Sequence, residues 1–378
     1  MRNKKKLNIL GVNSGTSADS LDLALVSFNA KGELKLLKAA TYDFPAALRK
    51  EILMSGPKST IYDIEVLSLK LGDFVARKIN QFISKNKIRR QSINGIGLHG
   101  QTIHHSQEIN QTISIQITES DIISSKTKIQ TIYDFRKKDI VLGGAGAPLV
   151  PILDFYLFPE IKRPFICQNL GGIANSTLVE KKFSNCIGFD SGPANCLIDR
   201  AVQIKYKNKI FYDKDGGFAK KGKVITPLLN KILKNPFFSI MPPKSTGNKE
   251  FGTEYTNNLF RYSLQKGIRF NDLVATLSCA TIESIAASYE KFIFPISTPK
   301  KVVLSGGGVK NTFILEGLMK RLPGLDFILS DELGIPSKYK EAVLFALLGY
   351  LRLINKSFTL KSLTGSKEKV LLGKISSP

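Results

Sequence analysis

The feature that constrains this chain most is a unit that occurs twice: a short apolar strand, a glycine turn, and a second apolar strand. It appears first in LNILGV, a Gly/Ser turn and LDLALVSFN (residues 7–29), and again in PFICQNLGGIANSTLV (164–179). Such runs, bounded by Gly, Ser and Asn, read as paired strands. Lys31-Gly32 turns the first copy into a third run, ELKLLKAATYDF, and NCIGFD follows the second copy. Each copy then leads into mixed strands and helices. With ~100–200 residues per domain, 378 residues hold two or three domains. The repeat points to two α/β domains of related architecture with a ligand cleft between them.

Apolar residues at i, i+3, i+4 and i+7 predict helices over 61–86, 193–204, 224–234, 253–266, 271–292, 311–322 and 338–354. Pro193 stands in the first turn of the second of these. Asn271 is placed to cap the helix over 271–292. Short strands are expected over INGIGLHGQT (93–102), ending in a polar loop, and at 113–117, 129–133 and 300–305. The Gly/Pro-rich run GGAGAPLVP (143–151) places the linker near 134–150. The expected division is therefore 1–135, 136–356 and a patternless tail, 357–378.

Charge narrows the partners. Lys+Arg number 55 against 31 Asp+Glu, a net +24, which suits nucleic acid, an anionic membrane or an acidic small molecule. The basic residues are scattered in short clusters and form no arm interleaved with stacking aromatics, which disfavours nucleic acid. No apolar run approaches the ~18 residues of a membrane span, and the basic start lacks the apolar core of a secretory signal. Cys167, Cys186, Cys196 and Cys279 form no CxxC pair, as expected of free thiols in a cytoplasmic protein.

Four glycine turns carry the chemistry: GVNSGTSADSLD (11–22), QNLGGIAN (168–175), FDSGPAN (189–195) and LSGGGVKN (304–311). Successive amides in such turns make nests for anions. Asp19 and Asp22 are candidates to hold Mg²⁺ directly or through water. Neither GxxxxGK[ST] nor GxGxxG is present, so this is neither a P-loop nor a Rossmann protein. Four turns at strand ends suggest a divided phosphate cradle.

These turns, together with GLHGQTIHH (97–105), DFRKKDIVLGGAGAPLVP (134–151), PPKSTG (242–247), DLVATLSCATIESIA (272–286) and KEAVLFALLG (340–349), follow an order that resembles the anhydro-N-acetylmuramic acid kinases. The resemblance runs from about residue 8 to 350. It implies two RNase H-like domains of the actin/hexokinase/Hsp70-like superfamily with an interdomain active-site cleft. It implies ATP and Mg²⁺ as cofactors, a homodimer, and a reaction in which ATP, water and 1,6-anhydro-N-acetylmuramic acid give N-acetylmuramic acid 6-phosphate and ADP. In that plan Gly15, Thr16, Ser17, Ala18, Asp19, Ser20, Leu21 and Asp22 form the first phosphate loop. Asn169, Gly171 and Gly172 form the second, and Gly306, Gly307, Gly308 and Asn311 the adenosine-side loop. Asp190 matches the general base. His99, Gln101, Asp134, Arg136 and Glu341 match substrate-binding positions, with Arg136 suited to a bidentate pair with the sugar's lactyl carboxylate.

From spacing alone, other roles stand beside these. Asp190 also suits a turn-forming or helix-capping residue, His99 a hydrogen-bonded core histidine, and Glu341 an acidic residue at a helix start. His104 and His105 have no third ligand at zinc spacing and read as loop or surface residues. Three rival functions share some of these features: a nucleotide-binding scaffold, a sugar kinase with another acceptor, and an RNA-binding protein. The chain also departs from the family pattern at Asn13 (usually Met), Ser20 and Ala194 (usually Gly), and Asn248 (usually Arg). Ser20 in particular requires an unstrained φ or a tolerated left-handed one.

Overall fold

Nearly continuous burial along Leu7–Ser14 and Ser20–Phe28 makes these two segments interior strands of a sheet. The computed structural model describes residues 6–15, 18–108 and 111–378. In chain order its strands are β1 (Leu7–Ser14), β2 (Ser20–Phe28), β3 (Leu34–Asp43), β4 (Gly95–Leu98), β5 (Gln101–Glu108), β6 (Gln111–Ile117), β7 (Thr131–Tyr133), β8 (Phe165–Leu170), β9 (Ile173–Val179), β10 (Ile187–Pro193), β11 (Lys301–Ser305), β12 (Asp326–Leu329), β13 (Phe358–Thr359), β14 (Lys369–Val370) and β15 (Lys374–Ser376).

The chain forms two compact units. One comprises Met1–Pro159 with Lys338–Pro378, the other Glu160–Ser337. In the first, the sheet order is β15-β7-β4-β1-β2-β3. β1, β2 and β3 run antiparallel, while β4 is parallel to β1 and β7 to β4. In the second, the order is β10-β9-β8-β11-β12, with β8, β9 and β10 antiparallel, β11 parallel to β8 and β12 to β11. Three antiparallel strands followed by two parallel ones on the far side of the first is the RNase H-like plan. It occurs in both units, so the duplicated motif of the sequence is a duplicated sheet.

The units do not follow the expected division at 135/136. The segment read as linker, 134–150, carries the short helix Lys137–Val141, leads into a second, Val150–Leu157, and belongs to the first unit. The helix Lys340–Leu353 and the tail return to it as well. The tail is not patternless: β15 pairs antiparallel with β7, and Leu360, Leu363, Val370 and Leu372 are buried. Two smaller expectations also change. Pro193 is the last residue of β10, and the next helix starts at Cys196. The helix Phe270–Phe292 is preceded by Arg269 at its cap position rather than Asn271. The long helix Ile61–Lys85 forms where the periodicity puts it, closed at its start by a Thr60–Asp63 capping box.

Each sheet packs its apolar side on a long helix. In the first unit, Leu10, Val12, Leu23 and Ile96 meet Phe74, Val75, Ile79 and Phe82 of Ile61–Lys85. In the second, Ile166, Leu178 and Leu304 meet Leu273, Leu277 and Ile285 of Phe270–Phe292. The opposite side of the first sheet receives Lys340–Leu353 at very short range. A Cβ at Gly11 would lie 1.8 Å from the Ala342 carbonyl oxygen, and one at Gly97 would lie 2.0 Å from that of Phe345. No helix among the described residues is long and apolar enough to cross a membrane.

Gly97→Ala should therefore push the helix off the sheet and cost about 3 kcal/mol, read by urea unfolding. Gly56→Ala, where a Cβ meets nothing within 4 Å, should leave the midpoint nearly unchanged. Equal midpoints for the two variants would refute this account of the packing.

Candidate active site

In the first unit the site starts at the end of β1. Asn13 is buried, and its Nδ2 donates to Oε2 of Glu341 at 2.7 Å. Glu341 stands in the first turn of Lys340–Leu353, so the close approach at Gly11 and Gly97 is what delivers it. Ser14 Oγ donates to Oε1 of Gln101 at 2.7 Å, and Gln101 Nε2 donates to the Gly15 carbonyl at 3.2 Å. Arg136 Nη2 donates to His99 Nε2 at 2.9 Å. Burial, then the charge of Arg136, pushes His99 down to about 3, so the imidazole is neutral at working pH and able to accept that bond. Burial also lowers the Arg136 guanidinium, and the Glu341 charge opposes the shift. His99, Arg136 and Glu341 line a cavity of about 440 Å³ together with Asn13, Ser14, Gly15, His105 and the loop Ala147–Val150.

The other sugar-side expectations fall elsewhere. Gln101 is 1% exposed and braces the turn from behind. Asp134 faces a separate cavity of about 300 Å³. Its carboxylate pairs with Lys374 at 2.7 Å and accepts the Lys137 amide. In the first phosphate turn, Thr16 and Ser17 lie outside the described residues. Ala18 takes the positive φ of 49°, so Ser20 is free to be an ordinary strand residue opposite Asp43. Leu21 is a core residue. Asp19 pairs with Arg49 on the surface. Asp22 accepts from Thr41 Oγ1 at 2.6 Å, and burial raises its carboxyl.

In the second unit the centre is Asp190, on β10. The register of β10 against β9 slips between Asp190 and Gly192, a bulge of the kind that re-aims a side chain beside a site. Gly192 has φ 146°, and a Cβ there would lie 2.8 Å from Phe238. Asp190 Oδ1 accepts from Asn175 Nδ2 at 2.5 Å, and Oδ2 accepts from the Thr246 amide at 2.8 Å. Asn175 in turn accepts from Asn169 Nδ2 at 3.1 Å, and Asn169 Oδ1 accepts from Ser305 Oγ at 3.4 Å. Asn169, expected on the phosphates, is thus a link in the chain that fixes Asp190. Burial pushes the Asp190 carboxyl up to about 6, against the two hydrogen bonds and the charge of Lys244. Desolvation wins, and the result is a carboxylate basic enough to take a proton near neutrality.

A third group surrounds a cavity of about 550 Å³ lined by Gly307, Gly308, Asn311, Asn195, Asp199 and Asp213, among others. Gly306 has φ 90°, and a Cβ there would lie 2.6 Å from Asn169 Oδ1. Asn311 also caps the helix Thr312–Arg321. The carbonyls of Gly171 and Gly172 accept from the amides of residues 194–196 and from Asn195 Nδ2, which locks the second turn against the next helix. Reading the sequence did not single out Asn175, Thr246, Asn195 or Asp199. Their signal was only adjacency to the glycine turns. Burial, then the charge of Asp213, pushes Asp199 up to about 7. Asp213→Asn should therefore lower the Asp199 midpoint in a carboxyl ¹³C titration, because the like charge that raises it is gone. A midpoint that stays put would leave burial as the whole cause.

Comparison with known proteins bears on the family of the chain. The family model described as anhydro-N-acetylmuramic acid kinase matches residues 7–378. A protein of that name from Caldanaerobacter subterraneus is 37% identical over 388 residues, covering 99% of this chain and 98% of its own. Another, from Pasteurella multocida, is 37% identical over 371 residues, covering 97% and 96%. Among solved structures, component A of the Acidaminococcus fermentans (R)-2-hydroxyglutaryl-CoA dehydratase covers 92% of this chain and 99% of its own at 11% identity and a TM-score of 0.47, too distant to carry an argument. With the strand plan, the glycine turns and near-complete coverage by its relatives, the chain belongs to the anhydro-N-acetylmuramic acid kinase family.

Proposed function

We propose that Asp190 is the general base of this kinase, and that its basicity is set by burial. The family's reaction consumes ATP and the anhydro sugar in peptidoglycan recycling, and hydrolysis and phosphoryl transfer are coupled in it. Asp190 takes a proton from water as the water oxygen bonds to C1 of the sugar. The C1–O6 bond breaks and its electron pair stays on O6. O6 then bonds to the γ-phosphorus while the bond from phosphorus to ADP breaks. The products are N-acetylmuramic acid 6-phosphate and ADP. The observation that supports this reading is the Asp190 carboxylate itself, held by Asn175 and Thr246 yet pushed up to about 6.

Arg136, half-buried against neutral His99, is assigned the lactyl carboxylate, and Glu341, fixed by Asn13, a sugar hydroxyl. The cavity beside Gly307, Gly308 and Asn311 is assigned the adenosine. Mg²⁺ fits the donors at the first turn: Asp22 offers a half-buried carboxylate of which Thr41 engages one oxygen, and Mg²⁺ ordinarily keeps several waters and is held by one or two carboxylates plus phosphates. When bound, it neutralises the charge on the phosphates. The same family likeness assigns a cytoplasmic homodimer.

Turnover in ¹⁸O-water should place the label at C1 and phosphate on O6. Phosphorylated product without label would make this an ordinary sugar kinase. Asp190→Asn should lower kcat by about 10³-fold while ATP binding, read by calorimetry, persists. Near-normal turnover in that variant would remove the base assignment. In the wild-type protein, kcat/KM should fall as pH drops through about 6, the side on which Asp190 becomes protonated.

A further inference from the structure

Lys244, in the PPKSTG segment, is a cation in an apolar place. It is 7% exposed. Its Nζ lies 4.4 Å from the ring centroid of Phe237 and 4.9 Å from that of Phe292, and donates to the Phe237 carbonyl at 3.2 Å. Lysine is almost never buried to this degree without a counter-charge, and two phenylalanine faces would accept an apolar side chain in its place at least as well. The segment carrying it also grips Asp190. The Asp190 amide donates to the Lys244 carbonyl at 3.0 Å, and the Thr246 amide donates to Asp190 Oδ2 at 2.8 Å. The main chain of 244–246 thus fixes the carboxylate, and the Lys244 ammonium adds a pull toward the ionised form that is smaller than that of the two hydrogen bonds.

We propose that Lys244 is a positioning residue for the reaction, its buried ammonium holding Asp190 in the ionised, proton-accepting form. This rests on the reading of Asp190 as the base. The groups that face the pair are few. Asp190 meets Asn175 from β9, the Thr246 amide and the Lys244 charge. Glu250 lies one hydrogen bond further out, on Thr246 Oγ1 at 2.9 Å. Lys244 is also faced by Lys291 from the helix Phe270–Phe292. Of these, Asn175 and Thr246 do not titrate. Burial, with the repulsion of Lys291, pushes Lys244 down to about 8, and Asp190 opposes that shift. The two charges therefore support each other.

The test uses Lys244→Met, which keeps an apolar chain against both rings, and Lys244→Arg, which keeps the charge. Two quantities are followed in the full-length protein. One is the Asp190 carboxyl midpoint by ¹³C NMR, assigned by its absence in Asp190→Asn. The other is the acid limb of kcat/KM. Lys244→Met should move both upward by about half a pH unit, roughly threefold in proton affinity, and Lys244→Arg should restore them. An unmoved NMR midpoint in folded Lys244→Met overturns the proposal. A moved midpoint with an unmoved kinetic limb keeps the coupling but removes Asp190 from the role of base. Linkage makes the effect reciprocal, so a second measurement decides the matter even if Lys244→Met does not fold. In Asp190→Asn the Lys244 ammonium midpoint, read from its ¹³Cε shift, should fall below the wild-type value, and an unchanged midpoint there also overturns the proposal.

Discussion

The site of the first unit hangs on one close contact: the main chain of helix Lys340–Leu353 lying on the main chain of β1 and β4. Gly11 and Gly97 permit it, because a Cβ at either position would sit about 2 Å from a carbonyl oxygen of the helix. The contact brings Glu341 within 2.7 Å of Asn13 and sets the ring of Phe345 4.4 Å from that of His99. Asn13 is itself informative. A methionine at this position would offer Glu341 no donor, so the departure from the family pattern is compensated by a hydrogen bond that this chain makes for itself.

The second unit solves a different problem, how to keep a carboxylate both buried and useful. Hydrogen bonds from Asn175 and Thr246 favour the ionised form of Asp190, and burial disfavours it. Had the hydrogen bonds won, the group would be a weak base. Had burial acted alone, it would bind its proton more tightly still. Asn175 is itself held by a chain of hydrogen bonds, Ser305 to Asn169 to Asn175 to Asp190, that spans the ends of β11, β8, β9 and β10. The glycine turns at these strand ends let the linked residues approach one another, so the turns help to position Asp190.

Much of this was legible in the sequence, for identifiable reasons. The duplicated strand–turn–strand pattern is local, and so are the helix over 61–85 and the glycine turns. The fate of the tail was not legible, because β15 pairs with β7 across more than 200 residues and only three of its residues take part. Pro193 misled because proline suits both the first turn of a helix and the end of a strand. His99, Arg136 and Glu341 line one cavity. Gln101 and Asp134 sit in equally suggestive motifs, but their side chains turn to Ser14 and Lys374. Motif membership places a residue near a site, and the side chain's own partner decides whether it faces the ligand.

The same distinction applies to charge. Of the 55 lysines and arginines, most lie in solvated clusters, where salt screens them within about 10 Å. Arg136 and Lys244 are different: Arg136 is half-buried beside a neutral histidine, and Lys244 is buried against two phenylalanine rings. Burial depresses both, which means that each stays charged at a cost borne by the rest of the fold. The proposed roles give each charge an anion to act on: a carboxylate of the sugar for Arg136, and the Asp190 carboxylate for Lys244. The surplus of +24 therefore says little about function, while two cations that hardly alter it are the ones proposed to act on the sugar and on Asp190.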